Sequence, residues 1–316
     1  MRPIRCTIGF RVDRDPAAAA PNSAAPSVHV PVMVREVLRG LDLAPGLTVV
    51  DGTVGGGGHS KKICELIGPT GRLIGIDRDP TMLDRARSVL PTAGVSLHRG
   101  SYVDLPEFLQ QDGVSTVDRI LVDLGLSSDQ LADRERGFSF HADGPLDLRF
   151  HAQEGPAAAE FLANASAAEL EQILRDYGEE PHSRGIAAAI VRQRATHPIN
   201  TALELAELVA SVTGHKGRAE KHPATRVFQA LRLAVNRELE HVQKALTESF
   251  PTCLRPGGLL VVISFHSLED RIVKEAFRDA TLWEVVTPKP ILPSPTEERV
   301  NPRSRSAKIR IARRRS

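Results

Sequence analysis

Residues 47 to 59 read Leu-Thr-Val-Val-Asp-Gly-Thr-Val-Gly-Gly-Gly-Gly-His, and this stretch constrains the fold more than any other. Val49 and Val50 carry the β-branched signature of a buried strand. The glycines at Gly55 to Gly58 permit positive φ and let the backbone approach a ligand more closely than any Cβ would allow. A helix is expected over Lys61 to Ile67, then a Gly-Pro-Thr-Gly turn, then a second apolar strand, Arg72-Leu-Ile-Gly-Ile-Asp77. In a βαβ nucleotide-binding unit, an acid about 20 residues beyond the glycines sits at the tip of the second strand and accepts ribose hydroxyls. Asp77 is therefore the expected ribose anchor. A plain tight turn is the competing reading of the loop.

The glycine spacing does not match G-x-G-x-x-G, because Gly52 is followed by Thr53 and Val54. Without that spacing, the case for a pyrophosphate on the helix N-terminus is weak. Asp51, just before the glycines, would repel an anion and suits a cationic or amine-bearing ligand. A sulfonium nucleoside, S-adenosylmethionine, fits this loop better than NAD.

The chain has 316 residues, 41% hydrophobic and 25% charged, enough for a substantial core in one large domain or two smaller ones. Cys6, Cys64 and Cys253 lie far apart and form no C-x-x-C pair, so no disulfide framework and no structural zinc or other metal site is expected, and the setting is reducing and cytoplasmic. No apolar run approaches the roughly 18 residues of a membrane span. Residues 1–27 are rich in Ala, Pro and Arg, lack the apolar core of a secretory signal, and are expected to be a disordered extension. From Arg299 to Ser316 there are eight basic residues and no acid. Such a tail reads either as contact with a polyanion or as a solubilising, frayed terminus.

From residue 28 onward, strands and helices alternate, which argues for a parallel sheet. Further strands are expected at Val95-Ser-Leu-His-Arg, Arg119 to Asp123, Gly258 to Ser264, Leu282-Trp-Glu-Val-Val and Ser306 to Ala312. Between the fourth and fifth lies far more chain than one crossover needs. Residues 133–222 read as an inserted helical subdomain: Ser166-x-x-Glu169 and Thr201-x-x-Glu204 are capping boxes, each followed by apolar residues at helical spacing. Insertions at the C-terminal edge of a parallel sheet overhang the ligand crevice and select substrate. A long helix is expected from Ala224 to Leu246, with Phe228, Leu231, Val235, Leu239 and Val242 facing the core. Its polar stripe of Gln229, Arg232, Asn236 and Glu240 reads first as a solvated face, with Arg226 and Arg232 as candidate phosphate contacts.

The segments Asp51-Gly-Thr-Val-Gly-Gly-Gly-Gly-His59, Ile76-Asp77-Arg78-Asp79-Pro80, Val122-Asp123-Leu-Gly-Leu-Ser-Ser, Glu135-Arg-Gly-Phe-Ser-Phe, Asp143-Gly-Pro-Leu-Asp-Leu-Arg149, Tyr177-Gly-Glu-Glu180, His222-Pro-Ala-Thr-Arg226, Ser264-Phe-His-Ser-Leu-Glu-Asp-Arg271 and Asn301-Pro-Arg-Ser-Arg305 resemble the bacterial small-subunit (16S) rRNA cytosine-N4-methyltransferases, the RsmH or MraW family. The resemblance runs from about residue 28 to the C-terminus. It implies a class I, Rossmann-like methyltransferase fold with a seven-stranded sheet. Residues 28–132 and 223–316 would form the methyltransferase domain, and 133–222 the substrate-recognition insert. It also implies methyl transfer from S-adenosyl-L-methionine to the exocyclic amine of one cytidine in the decoding region. The partner would be small-subunit rRNA or the assembled subunit, with a homodimer among the expected states. The family's cofactor contacts fall here on Gly57, Gly58, His59, Asp77, Tyr102, Asp123 and Gln130.

Each position has a physical role to fill. The glycine loop would lie against the methionine moiety, Asp77 would hold the ribose, and the Tyr102 ring would face the adenine. Because the cytosine N4 lone pair is delocalised into the ring, a hydrogen-bond acceptor that draws density toward nitrogen should help. Asp123, or the hydroxyl of Ser127 or Ser128, stands where such a group is needed, and Asp123 and Ser127 are the catalytic candidates. The segment Asp-Leu-Gly-Leu-Ser-Ser departs from the Asn/Asp-Pro-Pro-aromatic motif that many amino-methyltransferases carry. Carbon-5 methylation is disfavoured, since no cysteine lies near the fourth strand. His222 and His266 are read as structural histidines before bases, and Asp143 and Asp147 as a turn before a cation site. Two rival readings are an NAD-dependent oxidoreductase and a non-catalytic ribosome-assembly or nucleic-acid-binding factor.

Overall fold

The computed structural model describes residues 31–139, 144–214 and 222–316, apart from the Ser128 side chain. The N-terminal extension, Cys6 and Asp143 lie outside the described residues. Seven strands form one sheet: β1 (Thr48–Asp51), β2 (Arg72–Asp77), β3 (Val95–Arg99), β4 (Val117–Asp123), β5 (Leu254–Ser264), β6 (Trp283–Val285) and β7 (Lys308–Arg314). Their order is β3-β2-β1-β4-β5-β7-β6, with β7 antiparallel to both of its neighbours and the other pairings parallel. This is the Rossmann-like α/β sheet expected of a class I methyltransferase. The helices are α1 (Val34–Leu41), α2 (Gly58–Ile67), α3 (Pro80–Val89), α4 (Leu105–Gln111), α5 (Ser128–Ala132), α6 (Ala158–Asn164), α7 (Ala167–Asp176), α8 (Ser183–Arg194), α9 (Ala202–Thr213), α10 (Ala224–Val235), α11 (Glu238–Lys244), α12 (Phe250–Cys253), α13 (Ser267–Ala276) and α14 (Pro295–Val300).

Period-two alternation builds the core on both faces of the sheet. Val49 and Leu73 pack toward α1, α2 and α3, while the next residues, Val50 and Ile74, pack toward α4, α11 and α13. The chain moves one way from β1 to β3 and then crosses to β4, so the sheet changes direction between β1 and β4. Asp51, Asp77 and Asp123 end β1, β2 and β4 on that C-terminal edge, where open α/β sheets bind ligands.

The inserted helices have their own hydrophobic core, which joins Leu162, Leu170, Leu174, Ile186, Ile190, Leu205 and Val209. Ser166 accepts from the Glu169 N–H, and Thr201 and Glu204 close both halves of a capping box. Helix α10 belongs to this same core through Val227, Phe228 and Leu231. Helix α10, which lies beyond the boundary expected at residue 222, thus shares the core of the inserted helices.

The single helix expected from Ala224 to Leu246 is broken. Asn236 ends α10, and Arg237 adopts φ 52° before α11 begins. The cause is Asn236, whose side chain leaves the helix to donate to the Leu148 carbonyl and accept from the Phe150 N–H. Periodicity alone continues across such a residue because Leu239 and Val242 keep the spacing.

The basic terminus is not frayed. Strand β7 is buried between β5 and β6, because Ile309 and Ile311 alternate with residues that face the other side. Arg310 donates to Asp270 at 2.6 Å, Arg314 to the Pro251 carbonyl, and Arg315 to the Trp283 carbonyl. Among the described residues, no helix is long and apolar enough to cross a membrane.

Candidate functional site

The glycine loop leaves the tip of β1 under the control of Asp51. That carboxylate is buried, accepts from Ser60 Oγ at 2.6 Å and from the Thr53 N–H, and is pushed up to about 6 by burial. It ties the start of α2 to the strand and does not line the crevice, which removes the argument that it meets a cationic ligand directly.

Asp77, at the tip of β2, accepts from the Gly55 N–H and the Asp79 N–H, each at 2.9 Å. Burial raises its carboxyl to about 7, against the pull of those two N–H donors. The loop is thus folded onto the expected ribose anchor. Gly55 (φ 51°) and Gly56 present open backbone, with no atom closer than 3.8 Å to an added Cβ. Gly57 behaves differently: at φ 85°, its Cβ would meet Val89 at 2.8 Å and Leu90 at 3.4 Å. It serves close packing of the loop on α3 and does not line the crevice. Gly58 and His59 do line it.

The His59 side chain is buried beside the tip of β4. Its Nε2 lies 2.9 Å from the Val32 carbonyl oxygen and its Nδ1 lies 3.7 Å from Asp123 Oδ2. Asp123 ends β4, where its N–H donates to Thr53 Oγ1. Its Oδ1 is buried with no hydrogen-bond partner among the described residues. Burial, followed by the charges of Asp51 and Glu269, holds this carboxyl well above its ordinary range, with Arg303 acting in the opposite direction.

Tyr102 starts a short turn after β3 and lines the crevice beside Gly100, with Phe250 behind its ring at 5.9 Å. Ser127 caps α5: its hydroxyl accepts from the Gln130 N–H and points toward Met82 Sδ at 3.4 Å. That commitment makes it a poor catalytic acceptor. The Ser128 side chain lies outside the described residues. Gln130 is also held, since Oε1 accepts from the Ser127 N–H and Nε2 donates to Asp79 at 3.0 Å.

Asp79 is a residue that sequence reasoning passed over. It is fully buried, caps α3 through the Thr81 N–H, and receives Arg136 at 2.7 Å as well as Gln130. The segment after β4 is thereby locked onto the segment after β2. The available signal was Asp-Pro, an N-cap followed by proline at the first helical position.

The crevice has a volume of about 650 Å³, within the range of nucleoside-sized sites. Its floor is the sheet edge just described. Its roof comes from the insert, through Phe138, Leu148, Phe150, Phe228 and Arg232. Gln229 and Arg232 of the expected solvated stripe therefore face the crevice, and Arg232 pairs with Glu238 at 2.8 Å. Deeper in the same wall, Glu269 accepts from the Phe265 N–H and lies 3.1 Å from His266 Nε2. Burial alone would raise Glu269, yet the neighbouring His266, with the Phe265 N–H and Arg232, holds it below the usual range. His266 caps α13 and His222 Nδ1 accepts from the Ala224 N–H, so both have structural duties. Asp147 is spent on Arg149 at 2.6 Å, and no metal-binding cluster occurs among the described residues.

The MraW methylase family model matches residues 26–315. Among similar proteins, a ribosomal RNA small subunit methyltransferase H of Trichlorobacter lovleyi is 47% identical over 305 residues, covering 90% of this chain and 97% of that protein. Its counterpart from Cyanothece sp. is 48% identical over 289 residues, covering 91% and 95%. The Thermomicrobium roseum protein of the same name is 46% identical over 309 residues, covering 91% and 94%.

Proposed function

The chain belongs to the MraW methylase family, and on that premise we propose that it transfers a methyl group from S-adenosylmethionine to the exocyclic N4 amine of one cytidine in the decoding region of small-subunit rRNA. The observation that carries this reading is the crevice itself. One continuous space joins the glycine loop and Asp77 to Asp123, and the insert roofs it. A nucleoside cofactor and a nucleobase can lie side by side there.

Bound in this space, S-adenosylmethionine supplies a methyl group already activated by its positive sulfonium. The residues present fit it: open backbone at Gly55 and Gly56, an acid at Asp77, an aromatic wall at Tyr102, and an orphaned buried oxygen on Asp123 that awaits a donor. Asp77 would hold ribose hydroxyls with the lone pairs left over from its two N–H contacts. Tyr102, His241 and Val242 would flank the adenine. Asp123 would accept from an amine at the tip of β4. Phe138, Leu148, Phe150 and Phe228 would exclude water and hold the base in line, and orientation is what a displacement of this kind needs most.

The partner is small-subunit rRNA, free or assembled, met on the insert side of the crevice. The free thiols of Cys64 and Cys253 are compatible with a reducing cytoplasm. Calorimetry with S-adenosylmethionine and with NAD tests the cofactor. Binding of the first alone is expected, and binding of NAD alone would overturn the reading.

A further inference from the structure

Arg232 enters the crevice from the roof, and only part of its guanidinium is spent. Its Nε donates to Glu238 Oε1 at 2.8 Å, and with side chains 13% and 9% exposed the pair holds the guanidinium plane in one orientation. Neither terminal nitrogen, Nη1 or Nη2, makes a hydrogen bond among the described residues, and neither is sealed in the protein interior. A fixed fork of donors is therefore left for a ligand.

Such a fork takes either a phosphate or the acceptor edge of a base. The surroundings decide between them. Glu238 lies against Arg232, and Glu269, deeper in the same wall, feels its charge as well. Along the whole crevice four acids, Asp77, Asp123, Glu238 and Glu269, stand against three arginines. A phosphate placed on Arg232 would meet two acids beside one cation, whereas an uncharged base carries no such penalty.

Resting on the methyl-transfer reading above, we propose that Arg232 is a specificity-determining residue that reads the target cytosine, its Nη1 and Nη2 groups donating to N3 and O2 of the base. These two acceptors follow N4 along one edge of cytosine. With the amine at Asp123 on the floor, that edge runs toward the roof, where Arg232 stands. Because arginine offers donors only, it matches an edge of acceptors. Uracil carries a hydrogen on N3, so donor would face donor and a desolvated group would be left unpaired. Glu238 is the positioning residue, since its hold on Nε sets the plane of the fork. A candidate phosphate contact by sequence thus becomes a base contact.

Methylation kinetics on under-modified small subunits, with calorimetry on the cofactor, test the assignment. Arg232→Lys keeps the charge and loses the fork, so kcat/KM for the subunits should fall at least about 10-fold with the S-adenosylmethionine Kd unchanged. A smaller fall, or a loss that lies in the cofactor Kd, would overturn the proposal. Arg232→Gln separates base from phosphate: the salt dependence of subunit binding should stay as in wild type, and a slope reduced by about 1 would replace the base contact with a phosphate contact. Should both variants fail to fold because Glu238 loses its partner, wild-type protein carries the test alone. Subunits reconstituted with 3-deazacytidine at the target position keep the amine and O2 but lose the N3 acceptor. Their kcat/KM should be at least about 10-fold below that of ordinary subunits, and a smaller difference would overturn the proposal. Wild-type protein that forms no N4-methylcytidine on ordinary subunits would instead sink the methyl-transfer reading itself.

Discussion

Arg78 Nη1 donates to the Asn236 carbonyl oxygen at 2.6 Å, joining the residue next to the expected ribose anchor to the break between α10 and α11. The same guanidinium pairs with Glu154 at 2.9 Å and lies 5.5 Å from the centre of the Phe150 ring. Asn236 completes the joint through Leu148 and Phe150. The roof of the crevice is therefore docked on the cofactor edge of the sheet by polar contacts that neither unit makes alone.

Asn236→Ala should strand the Phe150 N–H and Leu148 carbonyl in a site that is 2% exposed. Loss of about 2–4 kcal/mol in stability is expected from two unsatisfied buried groups. Urea unfolding of the variant against wild type checks it, and a change below about 0.5 kcal/mol would show that the joint contributes little.

The two loop glycines should separate by function. Gly57→Ala forces a side chain into φ 85° and against Val89, so a stability loss of about 1–3 kcal/mol is expected. Gly56→Ala meets only Asp129 Oδ2, at an ordinary contact distance of 3.8 Å, and should leave the melting temperature nearly unchanged while weakening cofactor binding. Thermal melts combined with calorimetry on both variants decide the matter. The reverse pattern would mean that Gly57, not Gly56, faces the ligand.

Asp77→Ala should weaken S-adenosylmethionine by about 1–3 kcal/mol, the cost of lost charge-assisted hydrogen bonds. The pH dependence follows from a carboxyl raised to about 7 by burial. A raised acid stabilises the cofactor-free fold while it is protonated, and that contribution is lost as pH climbs from the ordinary carboxylate range through about 7. Asp77→Asn should therefore flatten the fall in stability across that window. An identical slope in wild type and variant would show that Asp77 does not titrate there.

The Arg310–Asp270 pair lies at the strand that the basic terminus forms. Arg310→Ala leaves a carboxylate with only Lys308 at 3.4 Å, and about 2–4 kcal/mol of stability should be lost. Chemical denaturation measures it. A variant that stays fully stable but loses rRNA affinity would restore this terminus as a polyanion arm.

Much of this was legible because it is local. The glycine loop, the apolar strands ending in Asp77 and Asp123, and the capping boxes at Ser166 and Thr201 depend on neighbours a few residues away. What sequence could not disclose depends on distant partners. Asp51 reads as available to a ligand, yet Ser60 claims it; Arg310 reads as one residue of a basic tail, yet Asp270 of α13 pairs with it. The break at Asn236 is invisible to helical periodicity because its causes, Leu148 and Phe150, lie more than 80 positions earlier. Gly57 and Gly56 are chemically identical, and only the position of Val89 tells them apart.

In the proposed reaction, one crevice brings a methyl donor to a cytidine amine. Small subunits lacking the modification, incubated with the protein and methyl-labelled S-adenosylmethionine and then digested to nucleosides, measure it directly. Label in N4-methylcytidine is the predicted result. Binding of the subunits without label in any cytidine would contradict the account and mark the protein as a non-catalytic binding factor.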